Sequence, residues 1–165
     1  MPTNALSLLK EDHKKVKNLL EKLSASTERA VKTRQHVLEQ IEHEIKAHML
    51  IEEEIFYPAY KDAVSSHEGE KLYYEAKEEH RAADKVLSDL LRADPSTLAF
   101  GGKAKVLKEL IVHHAEEEEK EMFKNARKAM SAGELRELGE RMQARKQEIE
   151  KGRVWERTSG RSAAE

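Results

Sequence analysis

Four stretches of this chain carry apolar residues at alternating steps of three and four, and in each a histidine interrupts the stripe. That period belongs to an amphipathic helix with one face against its neighbours, so these four histidines are predicted to point inward. The first stretch reads Leu6, Leu9, His13, Val16, Leu20 and Leu23, and the second Leu38, Ile41, Ile45, His48, Glu52, Ile55 and Ala59. The third is Tyr73, Ala76, His80, Ala83, Leu87 and Leu90; the fourth is Ala104, Leu107, Ile111, His114, Glu118 and Met122.

Charged residues make up 38% of the chain and aromatics 5%, a helical rather than a sheet-forming composition. At 165 residues the length is that of one domain with its own core. The expectation is an all-α fold: an up-down antiparallel four-helix bundle over residues 1–130, a C-terminal helix over 131–152 and a flexible tail over 153–165. Ser24 to Thr27 signals the first turn, and the second helix is expected to start between Thr27 and Thr33. Pro58 should kink that helix or end it soon after, because it lacks a backbone donor. Ser65 to Gly69 reads as the next connection, and Ala93 to Ser96 stops the third helix. Gly101-Gly102 is expected to close a long loop, so that the fourth helix runs from about Lys103 to Met130. Beyond Gly133, Leu135, Leu138, Met142 and Ile149 predict a shorter fifth helix, with a loose polar tail from Arg153 despite Trp155.

In an up-down arrangement, residues meeting at one depth lie equally far from the turn between them. Ser66 is midway between Glu52 and His80, and Thr97 midway between His80 and His114, both inside predicted connections. The midpoint of His13 and His48 falls near Ala30 or Val31, past the Ser24 to Thr27 signal, which requires a longer first helix or a lopsided loop.

Glu52 follows His48 by four residues and Glu118 follows His114 by four, so each pair shares a helix face. His113 and Glu117 have the same spacing, but their stripe, Val106, Leu110, His113, Glu117 and Lys120, turns charged halfway, which selects His114 and Glu118 as the inward pair. An ionised carboxylate inside a helical core costs several kcal/mol unless a cation compensates it, and the stripes place no lysine or arginine beside Glu52 or Glu118. A metal ion fits that role. With no cysteine in the chain, nitrogen and oxygen must hold it. His36, His43, His67 and His113 lie off the seam or in loops and read as surface residues. The Glu-x-x-His pairs of ferritin-like di-iron proteins are missing, since Lys77 stands three before His80 and Ile111 three before His114.

The order His, His-x-x-x-Glu, His, His-x-x-x-Glu over about Leu6 to Met130, with Glu-Glu and Phe-Tyr-Pro after the first motif, resembles the hemerythrin-like (HHE cation-binding) family. The resemblance implies a hemerythrin-like bundle with two non-haem iron ions joined by oxo or hydroxo and carboxylate bridges. It implies that His13 and His48 hold one iron, His80 and His114 the other, and that Glu52 and Glu118 bridge them. Oxygen-carrying relatives have a further histidine where this chain has Ala76, and their last carboxylate is an aspartate five residues after its histidine. These departures point away from oxygen transport and leave a coordination position open at the second iron. Tyr73, two turns before His80, is expected to be a core tyrosine rather than the group that fills it, and Glu53 and Glu79 are either histidine-orienting groups or surface charges.

The expected function is that of a di-iron protein that binds, senses or detoxifies a small oxidant: dioxygen, peroxide or nitric oxide. Peroxide disproportionation is its most concrete enzymatic form. The alternatives are an iron- or oxygen-sensing protein without turnover and a metal-free helical interaction module. A net charge of -2 gives no general attraction to nucleic acid, and no apolar run of signal or membrane-spanning length is present. A cytoplasmic protein without a nucleic-acid or membrane partner is expected.

Overall fold

Asn4 starts the first helix by accepting a 2.8 Å hydrogen bond from the Ser7 backbone N–H, satisfying a donor the helix leaves free. The computed structural model describes residues 4–152, so the expected loose tail and Trp155 lie outside the described residues. Among the described residues the regular structure is helical: α1 (Ala5–Ala25), α2 (Val31–Ile51), α3 (Tyr57–Ala63), α4 (His67–Leu91), α5 (Leu98–Glu117), α6 (Phe123–Ala129) and α7 (Ala132–Gly152). Two π-helical turns, Glu52–Phe56 and Glu118–Met122, join α2 to α3 and α5 to α6, so five helical rods result. Among the described residues no helix is long and apolar enough to cross a membrane.

α1 packs on α2 and α5, and α4 packs on α5 and α2, closing a ring of four rods. Their apolar stripes form two clusters. One gathers Val16, Leu20, Ile41, Leu87, Phe100 and Leu107; the other gathers Leu9, Ile51, Phe56, Tyr60, Phe123 and Met142. The inward histidines lie between these clusters along each rod. α7 packs on α1 and α2, with Leu135, Leu138, Met142 and Ile149 all buried in the second cluster. A capping box starts it: Ser131 Oγ accepts from Glu134 N–H at 3.1 Å, while a Glu134 carboxylate oxygen accepts from Ser131 N–H at 2.6 Å.

α5 begins at Leu98 instead of Lys103, so Gly101 and Gly102 are helical. Each glycine costs about 1 kcal/mol in a helix. The Thr97 cap, which accepts from Phe100 N–H at 3.2 Å, and the burial of Phe100 offset that cost. Gly69 is also helical, in the first turn of α4, because the chain passes too close there for a side chain: a Cβ would stand 2.1 Å from Val64 Cγ1. Pro58 sits where the π turn gives way to α3, inside a continuous rod, and the helix runs on to Ala63.

The lopsided first connection is explained by Arg34, which the apolar pattern did not single out. Its buried guanidinium donates to Ser26 Oγ and to the carbonyls of Ser26, Pro95 and Thr97 at 2.7–3.1 Å, tying the α1–α2 and α4–α5 connections together.

Candidate metal centre

The six residues singled out by the sequence, His13, His48, Glu52, His80, His114 and Glu118, are all buried, and the fold brings them into one layer. His13, His48, Glu52 and Glu118 place donor atoms within 4.8 Å of one another, and so do Glu52, His80 and His114. Glu52 belongs to both groups. Its Oε1 lies 2.8 Å from His48 Nε2 and 3.3 Å from His80 Nε2, while Glu118 has Oε1 3.6 Å from His13 Nε2 and Oε2 3.1 Å from His114 Nε2.

Each histidine turns Nε2 inward and presents Nδ1 to a carboxylate: His13 to Glu119 at 3.3 Å, His48 to Asp12 at 3.1 Å, His80 to Glu53 at 2.9 Å, and His114 to Glu79 at 3.3 Å. Such a partner fixes the tautomer that leaves Nε2 free to bind a metal. Glu53 and Glu79 therefore do face histidines. Asp12 and Glu119 escaped the sequence reading because residues adjacent to a ligand, or within an acidic run, look like solvated charge. Asp12 is itself held by Lys146 of α7, and Arg145 of α7 donates to both carboxylate oxygens of Glu54 in the π turn at 2.6 and 3.1 Å.

Hydrogen-bond geometry provides a test of whether this layer suits a cation. Buried side-chain atoms without a hydrogen-bond partner include His13 Nε2, His48 Nε2, both Glu52 oxygens and Glu118 Oε1. All are atoms predicted to face the metal. Leaving a buried polar atom unsatisfied costs about 1–3 kcal/mol, and nitrogen and carboxylate donors that crowd to within 2.8–3.6 Å of one another, several of them without a well-aligned hydrogen bond, suit a first-row cation. The donor set fits.

Electrostatics agree. His48 is pushed up to about 10: burial opposes its charge, but Glu52 and Asp12 outweigh that. His80 is raised against burial by Glu52 and Glu53, and His114 well above its ordinary value by Glu118 and Glu79. Of the paired acids, Glu52 is held low, since the charge of His48 overcomes burial, whereas burial and the neighbouring Glu52 charge push Glu118 up. Two carboxylates this close do not ionise independently.

Tyr57, rather than Tyr73, is the tyrosine at the centre. Its hydroxyl donates to Glu118 Oε2 at 2.9 Å and lies 3.1 Å from His80 Nε2 and 3.5 Å from His114 Nε2. Burial and the charges of Glu118 and Glu52 keep the phenol protonated well above its ordinary range. Tyr73 packs edge-on against it, ring centroids 6.3 Å apart. The π turn produces this placement, because the Tyr57 N–H bonds to the Glu52 carbonyl five residues back and shifts the inward face by one position. An α-helical register would have favoured Phe56. The one hint in the sequence was an aromatic five residues after each inward glutamate, Tyr57 and Phe123.

Known proteins resemble this chain in sequence and fold. A hemerythrin HHE cation binding domain-containing protein from Mycobacterium kansasii superposes with a TM-score of 0.81 at 32% identity, over 98% of this chain and 96% of that one. A protein of Nostoc sp. named as a DNA nickase is 25% identical over 147 residues, 89% of this chain. The chain spans 40% of that relative's length. The family described as Hemerythrin HHE cation binding domain matches residues 4–126, so this chain belongs to the hemerythrin HHE cation binding domain family.

Proposed function

We propose that the centre is a non-haem di-iron site in an up-down four-helix bundle, and that the protein binds, senses or detoxifies dioxygen, peroxide or nitric oxide. The observation that carries this reading is the convergence of unpartnered inward atoms on His13, His48, Glu52 and Glu118, with each histidine braced from behind by a carboxylate. His13 and His48 would hold one iron and His80 and His114 the other, with Glu52 and Glu118 between them. Iron bound there supplies one-electron redox chemistry and Lewis acidity. The ring of four rods and its short connections support the bundle, and a cytoplasmic setting goes with the reading.

The surroundings favour a small, uncharged ligand. A cavity of about 20 Å³, bordered by the four histidines with Val16, Ile45 and Ile111, adjoins the centre and is lined by apolar surface. That is room for roughly one or two water-sized molecules. On the other side, the Tyr57 hydroxyl can steady a protonated or partly negative oxygen near His80 and His114. Tyr57 keeps its proton well above the ordinary phenol range, because of burial and the charges of Glu118 and Glu52.

Adding peroxide or dioxygen to iron-loaded and metal-stripped protein tests the reading. An oxidant-handling enzyme turns the substrate over only when loaded. A sensor gains metal-dependent protease resistance without turnover, and a metal-free interaction module shows neither, which would overturn the proposal.

A further inference from the structure

All four tyrosines of the chain fall between residues 57 and 74, and three of them form a line of touching rings. The Tyr57 ring centroid lies 5.3 Å from that of the inward His80 and 6.3 Å from that of Tyr73, and Tyr73 lies 5.0 Å from Tyr74. Both tyrosine pairs meet edge to face, at 80° and 77°, the usual contact geometry of aromatic rings. The line begins at a hydroxyl bonded to Glu118, passes the half-buried Tyr73 and ends in solvent, where Tyr74 is 52% exposed. Tyr60 is engaged elsewhere: its ring meets Phe56 at 6.2 Å and its hydroxyl accepts from Asn125 at 3.2 Å.

Phenylalanine serves for packing on the other half of the centre, where Phe123 lies against His13 and meets Phe56 edge-on at 5.9 Å. What a phenol adds to a ring is one-electron oxidation, in which an electron and the hydroxyl proton leave together and a neutral radical remains. Electron transfer weakens steeply with the gap to be crossed, so rings in contact provide short steps. Lys61 Nζ stands 5.1 Å from the Tyr73 centroid and 5.3 Å from that of Tyr74, and Lys77 Nζ 5.5 Å from Tyr73. These cations oppose a positive ring, so an oxidised tyrosine here must shed its proton.

We propose that Tyr57, Tyr73 and Tyr74 relay one-electron oxidising equivalents from the buried centre to the surface, where a small phenol quenches them. The proposal rests on the di-iron reading above, with hydrogen peroxide as the oxidant. Tyr57 gives an electron to the centre while its proton shifts along the 2.9 Å hydrogen bond to Glu118 Oε2. Tyr73 then reduces Tyr57, whose proton returns, and Tyr74 reduces Tyr73; these two exchange their protons with water. The phenol gives a hydrogen atom to the Tyr74 radical, restoring its O–H bond and leaving a phenoxyl radical. Two such passages supply the two electrons and, through water, the two protons that turn one peroxide into two waters.

Full-length, iron-loaded protein is mixed with hydrogen peroxide alone, frozen during the first turnovers and examined by electron paramagnetic resonance; a parallel sample receives guaiacol, whose oxidation is followed. Wild type should show a tyrosyl radical and oxidise guaiacol. Tyr73→Phe and Tyr74→Phe should lose most of the guaiacol oxidation while retaining iron as the wild type does. Tyr74→Trp, whose ring is again oxidisable, should recover it, and Tyr60→Phe should behave as wild type. Guaiacol oxidation at the wild-type rate in both Tyr73→Phe and Tyr74→Phe, or no organic radical in the wild type, would overturn the relay and leave the tyrosines as packing. Retained iron that leaves peroxide untouched would overturn it as well, whereas no retained iron would break the di-iron reading beneath it.

Discussion

The two copies of the His-x-x-x-Glu motif fold alike and end differently. Each enters a π turn at its glutamate, and in each the residue five later, Tyr57 or Phe123, donates its backbone N–H to that glutamate's carbonyl. The Tyr57 hydroxyl then reaches His80, His114 and Glu118, whereas the Phe123 ring lies nearly parallel to His13, 6.1 Å away at 8°. One hydroxyl thus makes a near-symmetric centre unequal: a polar cap over the His80 and His114 half, an apolar lid over the His13 and His48 half. The bracing differs too. α7 reaches the first half through Lys146 and Asp12, while His114 is braced by Glu79 at the partly open cleft.

The strongest way to break this comparison is to treat the two acids as equals. Glu52 contributes to both donor groups, so Glu52→Ala should lower iron affinity by at least about 100-fold, measured by competition with a chelator. Glu118→Ala should cost less. Equal losses would mean that the copies share the metals evenly.

The sequence located all six inward residues because each obeys the helical period and lies at a common depth. It could not locate Tyr57, since a π turn changes the register without an obvious sequence mark. Nor could it reveal Arg34, Asp12 or Lys146, whose partners come from other helices. Gly101 and Gly102 misled the placement of α5 because the Thr97 cap and the burial of Phe100 act nonlocally against the glycine signal.

pH provides the next test. Metal and proton compete for the same imidazole nitrogen, and His48 holds its proton up to about 10. Between the ordinary histidine value and that point, iron uptake must expel the proton, so affinity should fall about tenfold for each pH unit lowered per proton displaced. Dye-detected proton release on metal addition checks this. The sign for folding is opposite: a raised histidine adds stability to the metal-free protein below its unfolded value and loses it as pH rises through about 10.

Lys146→Met removes the cation that holds Asp12 behind His48. It should weaken binding by about tenfold, with Lys146→Arg restoring most of the loss. The smallest expected effect is that of Tyr57→Phe: retention changes less than tenfold, while the visible spectrum of the iron-loaded protein shifts because the His80 and His114 half alone loses its hydroxyl. Phe123→Tyr, which puts a hydroxyl on the opposite ring, sharpens the contrast if it perturbs the spectrum differently.

Elemental analysis of aerobically purified protein, read beside its visible spectrum, tests the central claim most directly. The account predicts about two irons per chain and the absorption bands of a bridged ferric pair. Protein offered iron that retains only traces, with a featureless spectrum, would contradict it.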